Sequence, residues 1–225
     1  MKVIRENTKK VNKINFPYTM NIYKGCSYGC IYCYSCKPCE WNGYGKEKPI
    51  YEKIEVNKDI AKNLNEDLSK LTDSNIDKRI QIGTTWDVYP KIEEKNKITR
   101  ECLKVFTKYP DWTIHLETKS DLILNDIDVI KKIPNFQAEI TITTLTKDSY
   151  FEPNAPSTQR RFEVIEELSN NGIYVRVMII PYLGEYSNFK AIREKAISLG
   201  AEESRSKDLK FFNLEELLPD LVTEI

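Results

Sequence analysis

Residues 112–133 read WTIHLETKSDLILNDIDVIKKI. The first part alternates, so Ile114 and Leu116 fall on one side of an extended chain and His115, Glu117 and Lys119 on the other. From Ser120 or Asp121 onward the apolar residues recur at helical spacing. The stretch predicts a strand over 112–119 followed directly by a helix. Strands buried on both faces of a parallel sheet usually read as continuous apolar runs. This one carries a charged face, and that face needs something to satisfy it.

The same unit recurs on either side. NKDIAKNLNEDLSKL (57–71) puts Ile60, Leu64, Leu68 and Leu71 on one helical stripe, and RIQIGTT (79–85) reads as a strand. A helix around 98–108 is stopped before Pro110. AEITITT (138–144) sets Glu139, Thr141 and Thr143 against Ile140 and Ile142. The helix after it has Ser157 as its cap and Gly172 as its stop. IYVRVMII (173–180) sets Tyr174, Arg176 and Met178 against Ile173, Val175 and Val177. A helix ending at Gly200 and a strand over 209–214 close the series, and TMNIYK (19–24) supplies the first strand. Six strands alternating with helices predict an α/β fold with right-handed crossovers. Six units are too few for an eight-stranded barrel and suit a partial (β/α)6 barrel of parallel strands with outer helices. A single domain over 1–225 is expected, with a cysteine loop at 25–40 and a tail at 214–225 that caps the barrel or packs on a partner. The polar strand faces then line a lumen. Either a mutually hydrogen-bonded polar layer fills it or a bound cofactor does, and the cofactor is the expectation.

Composition narrows the class. In 225 residues, Lys and Arg number 34 and so do Asp and Glu, which leaves no global field to recruit nucleic acid or an anionic membrane. The 40% apolar content supports a core and excludes a disordered chain. No apolar run approaches a membrane span, and MKVIRENTKKVNK is too polar for a signal peptide, so a cytoplasmic location is expected.

Five of the six cysteines lie between 26 and 39, in NIYKGCSYGCIYCYSCKPCEW (21–41), and Cys102 stands apart at an apolar helix position. Crowding of this kind in a reducing compartment points to metal rather than disulfides. Cys26, Cys30 and Cys33 have the spacing Cys-x3-Cys-x2-Cys. Three thiolates can hold three corners of a four-iron–four-sulfur cluster and leave one iron open for chemistry. A structural zinc site wants two ligand pairs, often with histidine, and the one histidine lies 82 residues past Cys33. Cys30, Cys33, Cys36 and Cys39 approach a ferredoxin-type run and would close a cluster for electron transfer alone. That alternative has its last spacing short by one and leaves Cys26 without a role.

The triad CSYGCIYC, with an aromatic before its last cysteine, resembles the signature of the radical S-adenosylmethionine (SAM) enzymes. The chain is most similar to the branch that contains spore photoproduct lyase. IGTTWDVYPKIEEKNKITRECL (82–103), ETKSDLILNDIDVI (117–130), ITITTLTKDSYFEPNAPSTQRRFEVIEEL (140–168) and GIYVRVMIIPYL (172–183) resemble segments of that branch in the same order. The resemblance runs from about residue 17 to 190. It implies a [4Fe–4S] cluster on Cys26, Cys30 and Cys33 and SAM on the open iron. It further implies reductive cleavage to a 5′-deoxyadenosyl radical that takes hydrogen from a substrate, and an electron donor of flavodoxin or ferredoxin type.

Residue by residue, the resemblance places Tyr32 beside the adenine and Lys119 against the cofactor, the alternative for Lys119 being a salt bridge with Glu117 or another lumen carboxylate. Thr141, with Thr143 next along, becomes the strand hydroxyl facing ribose or methionine. Thr84 and Thr85 fall near the methionine end. Arg176 either binds a substrate carboxylate or phosphate or pairs with Glu139. Tyr32 and Tyr34 flank Cys33 as tyrosines associated with hydrogen transfer do in the repair lyase, which makes them candidate catalytic relays. One departure bears on the reaction. The repair lyase returns hydrogen from a cysteine after its second strand, and Thr84 stands there, with an O–H bond too strong for that task. Repair of DNA lesions is therefore the least favoured of the enzymatic readings. Cys36 and Cys39 are spare thiols, a redox pair or ligands to a second metal. The substrate is unassigned, and a wide partial barrel favours a protein, peptide or nucleic acid whose bulk seals the opening.

Overall fold

The computed structural model describes residues 2–7, 16–33, 35, 54–146 and 148–208. In chain order its strands are β1 (Arg5–Glu6), β2 (Tyr18–Met20), β3 (Tyr23–Lys24), β4 (Glu55–Val56), β5 (Arg79–Ile82), β6 (Thr113–Thr118), β7 (Phe136–Thr141), β8 (Tyr174–Tyr182) and β9 (Glu203–Asp208). The helices are α1 (Ile60–Lys70), α2 (Glu93–Asn96), α3 (Ile98–Phe106), α4 (Ile127–Ile130), α5 (Asp148–Phe151), α6 (Thr158–Asn170) and α7 (Phe189–Ser198).

Seven strands form one sheet in the order β1-β2-β5-β6-β7-β8-β9, with the charged-face strand β6 at its centre. From β2 to β9 every pairing is parallel, and β1 adds antiparallel to the edge of β2. Among the described residues β1 and β9 do not pair with each other, so the sheet is an open partial barrel. Its apolar face is covered by helices. Ile114, Leu116, Ile140, Val175 and Val177 are fully buried there with Leu103 and Phe106 of α3, Ile165 and Leu168 of α6 and Ile192 of α7. Each such side chain contributes about 1.5–3 kcal/mol on burial, which is why the helical stripes and the odd–even pattern of the strands agree on one core.

Register brings the polar face together. Gln81 lies opposite His115, and Glu117 opposite Glu139, which in turn faces Arg176. Ser157 caps α6 by accepting from Arg160 N at 3.2 Å, and Gly172 beyond its end takes φ +74°.

Two expected elements differ in detail. The first strand ends at Met20, and Tyr23–Lys24 pairs instead with Glu55–Val56 in a separate small sheet. Asn21 makes the break, because its side chain bonds to Thr85 in both directions, donating to Oγ1 at 3.2 Å and accepting from N at 3.1 Å. The helix expected from 120 begins as a 3₁₀ segment, Asp121–Asp126, and becomes α-helical only at α4. Ile123 and Asp126 are both buried, and their separation of three suits a three-residue turn. Tyr89 Oη donates to Asp126 at 2.9 Å and Arg100 at 2.8 Å, which pins that turn. The last strand expected over 209–214 lies outside the described residues. Among the described residues the sheet's last strand is β9, whose sequence ESRSKD carries no apolar signal because its side chains are mostly exposed.

Candidate active site

The C-terminal ends of β2, β5, β6 and β7 converge on the cysteine loop. The loop turns at Gly25 (φ +100°) and Gly29 (φ +66°). At Gly29 the backbone approaches a second segment so closely that a Cβ would stand 3.2 Å from Asn154 Nδ2. That segment, 151–154, is stapled to the loop. Ile31 N donates to Phe151 O at 3.1 Å, and Asn154 N donates to Tyr28 O at 3.2 Å. Tyr28, Cys30, Tyr32, Phe151 and Leu183 make a small apolar cluster of their own beside the main core, with Cys26, Ile31 and Cys33 packed against it.

Cys30 is buried and Cys26 and Cys33 are half-buried. The backbone N–H groups of Tyr28 and Asp87 both donate to the Cys26 sulfur, but burial outweighs them and pushes this thiol up to about 11. Cys30 is also pushed up, chiefly by burial, while the Lys119 ammonium pulls the other way. Cys26 senses the charge of Cys33, and Cys30 senses those of Cys33 and Cys26, so the three are near neighbours. Among the described residues no group of three His, Cys, Asp or Glu side chains converges where one metal ion would sit. Three thiols gathered on one loop, one of them in the field of the Lys119 ammonium, suit deprotonated ligands that each bind a different iron of a cluster. The residues present fit that group.

Above the strand ends lies a charged layer. Lys119 Nζ sits 5.8 Å from the centre of the Tyr32 ring and 3.9 Å from Glu152 Oε1. Glu152 Oε1 also accepts the Tyr32 hydroxyl and, at 2.9 Å, the Thr143 hydroxyl, and Arg161 Nη2 pairs with Oε2. Tyr32 Oη and Thr143 Oγ1 are 3.0 Å apart. Burial works against both charges. The Arg161 and Lys119 charges nevertheless hold the Glu152 carboxyl below its usual range, and the charges of Cys30 and Glu152 hold the Lys119 ammonium above its own. Asp87 supports the same corner from the loop after β5, accepting Thr118 Oγ1 at 2.6 Å and Lys119 N at 2.7 Å.

A second layer lies deeper. Glu139 accepts Arg176 Nη1 at 2.6 Å and Gln81 Nε2 at 3.2 Å, with His115 Nδ1 3.3 Å away. Arg176 Nε reaches Glu203 at 2.8 Å. This layer is the mutually hydrogen-bonded polar filling that stood as the alternative to a cofactor in the lumen, and at this depth it satisfies the strand faces by itself. Arg176 takes the Glu139 pairing named as its alternative role.

Of the candidate residues, Cys26, Cys30, Cys33, Tyr32, Lys119 and Thr143 are brought together at the mouth. Thr141 is fully buried just below, its hydroxyl donating to Glu117 at 3.4 Å. Thr84 and Thr85 form the turn after β5, where Thr85 O accepts the Ser35 hydroxyl at 2.8 Å and so docks the far end of the cysteine loop. Tyr34, Cys36 and Cys39 lie outside the described residues. Cys102 is core, as expected. Glu152, Arg161 and Asp87 were not anticipated. Arg161 had a signal: it lies on the same helical stripe as Thr158, Phe162, Ile165 and Leu168, so a charge belonged to the buried face.

A family model described as the radical SAM superfamily matches residues 20–195. An uncharacterized protein of Methanocaldococcus jannaschii is 33% identical over 191 residues, covering 81% of this chain and 68% of its own length. An uncharacterized protein of Mycobacterium tuberculosis is 21% identical over 178 residues, covering 77% of this chain and 52% of its own. Among solved structures, a spore photoproduct lyase variant with bound AdoMet and dinucleoside spore photoproduct superposes with a TM-score of 0.70 at 15% identity, covering 94% of this chain and 63% of that one. Streptococcus suis SuiB bound to its precursor peptide SuiA gives 0.61 at 13% identity, covering 93% of this chain and 47% of that one. The chain thus spans about half to two-thirds of the length of most of these relatives.

Proposed function

The chain belongs to the radical SAM superfamily and is a radical SAM enzyme, and we propose that Cys26, Cys30 and Cys33 hold its [4Fe–4S] cluster with SAM at the strand mouth. When bound, that cluster supplies the electron that cleaves SAM to methionine and a 5′-deoxyadenosyl radical, which takes hydrogen from the substrate. The residues do the rest. The three thiolates anchor the group, and Lys119 presents an ammonium to the carboxylate of SAM. Tyr32 offers its ring to the adenine, while Thr141 and Thr143 offer hydroxyls to ribose or methionine, with Thr84 and Thr85 at the methionine end. Tyr32 and Tyr34 are the candidate hydrogen relays. An electron donor of flavodoxin or ferredoxin type completes the cycle.

The observation that carries this reading is the convergence of the three thiols, Tyr32, Lys119 and Thr143 at the strand ends of a sheet that the family model spans. Such folds place their chemistry at that end. A large substrate, whether protein, peptide or nucleic acid, is supported by the sheet's lack of closure among the described residues. The SuiB structure, which holds a precursor peptide, points the same way. Lesion repair itself is not favoured, because Thr84 stands where a hydrogen-donating thiol is wanted.

The deciding experiment is anaerobic reconstitution with iron and sulfide, dithionite reduction, and assay for 5′-deoxyadenosine from SAM. Wild type and Cys36→Ala are expected to form the nucleoside, and Cys26→Ala to lose it. A cluster that survives Cys26→Ala, fails in Cys36→Ala or Cys39→Ala and never cleaves SAM would establish an electron-transfer module on Cys30, Cys33, Cys36 and Cys39.

A further inference from the structure

We propose that Glu152 is the positioning residue of the cofactor site, the carboxylate that locks the cysteine loop, the lysine just past β6 and the hydroxyl just past β7 into one arrangement. The inference rests on the radical SAM function proposed above. Four groups from four parts of the chain meet at its two oxygens. Oε1 accepts the hydroxyls of Tyr32, from the loop, and Thr143, from just past β7. It also lies 3.9 Å from Lys119 Nζ, at the end of β6. Oε2 takes Arg161 of α6, whose Nη1 donates onward to Thr141 O at 2.9 Å. Tyr32, Thr143 and Lys119 are three of the groups assigned to touch SAM; Glu152 is assigned no such contact and acts through them.

Stability alone does not explain the arrangement. The Glu152 and Arg161 side chains are 0% and 1% exposed. Taking both ions out of water is costly, and an apolar pair of similar volume often serves stability as well or better. The helix that carries Arg161 already buries Phe162, Ile165 and Leu168. Among the described residues Arg161 Nε is buried with no hydrogen-bond partner, a further penalty that the fold tolerates. What the pair achieves is a fixed negative charge at the strand mouth, held from behind by a guanidinium. The loop cannot shift away from β6 and β7 without breaking the Tyr32–Glu152 hydrogen bond, which is charge-assisted and therefore among the strong ones.

The test uses the full chain reconstituted anaerobically as wild type, Tyr32→Phe and Glu152→Gln. Iron and sulfide content are measured first. The reduced cluster is then titrated with SAM while its electron paramagnetic resonance spectrum is recorded. Tyr32→Phe keeps the ring and the Glu152–Arg161 pair and removes only the tether, so it decides alone if Glu152→Gln does not fold. The expected result is a normal iron load in the folded variants, with at least tenfold more SAM needed for the spectral change. Variants that load iron and respond at the wild-type SAM concentration, even with lowered thermal stability, would show a merely structural role and overturn the proposal. A wild type that loads the cluster but never responds to SAM overturns the function itself, and this inference with it.

Discussion

Glu117 sits on β6 between Lys119 and the Glu139–Arg176 pair, and its hydrogen bonds are long: Gln81 Nε2 at 3.5 Å and Thr141 Oγ1 at 3.4 Å. Burial and the neighbouring Glu139 charge push its carboxyl up to about 7, against the opposing pull of Lys119 and Lys207, with Asp87 adding a further upward push. A carboxyl raised in the folded state binds its proton more tightly there than in the unfolded chain. Its contribution is complete below the unfolded value of 4.5 and is lost as pH rises through about 7. Glu117→Gln removes that dependence. Urea unfolding of the cluster-free chain is expected to show the variant more stable at pH 8 by up to about 3 kcal/mol, at 1.36 kcal/mol per unit, and a flatter profile between pH 5 and 8. An unchanged slope would mean that the lumen carboxyl is solvated. At this scale the sequence exposed the cysteine triad, Lys119 and the polar strand faces, because spacing and alternation are local. It hid Glu152 and Asp87, which lie in loops where no periodicity says which way a side chain faces. Lys119 needed a buried counter-charge, but only the fold could say that Glu152, 33 positions away, supplies it.

Gly83 ends β5 at φ +90°, and a Cβ there would lie 2.6 Å from the backbone oxygen of Glu117. Gly172 ends α6 at φ +74° with nothing within 4 Å of the same atom. Both positions would strain an L-residue by about 1–2 kcal/mol, but only Gly83 adds a collision with backbone that cannot rotate away. Gly172→Ala is expected to cost about 1–2 kcal/mol and Gly83→Ala about 1–3 kcal/mol more, both read from urea midpoints. Equal losses would show that the turn after β5 relaxes freely. Helices and central strands were legible because each buries one face, and the apolar period follows from that. The elements that escaped have no such face. β9 is polar and exposed, Tyr23–Lys24 leaves the sheet because of one asparagine, and the 3₁₀ segment is set by the long-range bonds of Asp126 to Tyr89 and Arg100.

At the scale of the whole molecule, the described apolar residues fall into two bodies. One lies between the sheet and its helices, and the other is the small cluster that joins the cysteine loop to 151–155 and Leu183. The two differ greatly in size, and cooperative opening follows the amount of apolar surface and hydrogen bonding that must be broken. Among the described residues the small body is tied to the rest by the contacts of Glu152, by Tyr28, which donates to Tyr89 O at 3.0 Å, and by Ser35 and Tyr186. It should therefore open as a unit while the sheet stays closed. Hydrogen exchange on the cluster-free chain is expected to give residues 28–33 and 151–155 matching, low protection, with β6, β7 and β8 close to the global stability. Loading iron and sulfide should slow both segments together and leave the central strands unchanged, because the metal bonds tie down the loop and Glu152 passes the constraint to its neighbour. If loading slowed 28–33 but not 151–155, the two segments would be independent. The loop would then be ordered by its metal alone rather than by a partner already in place.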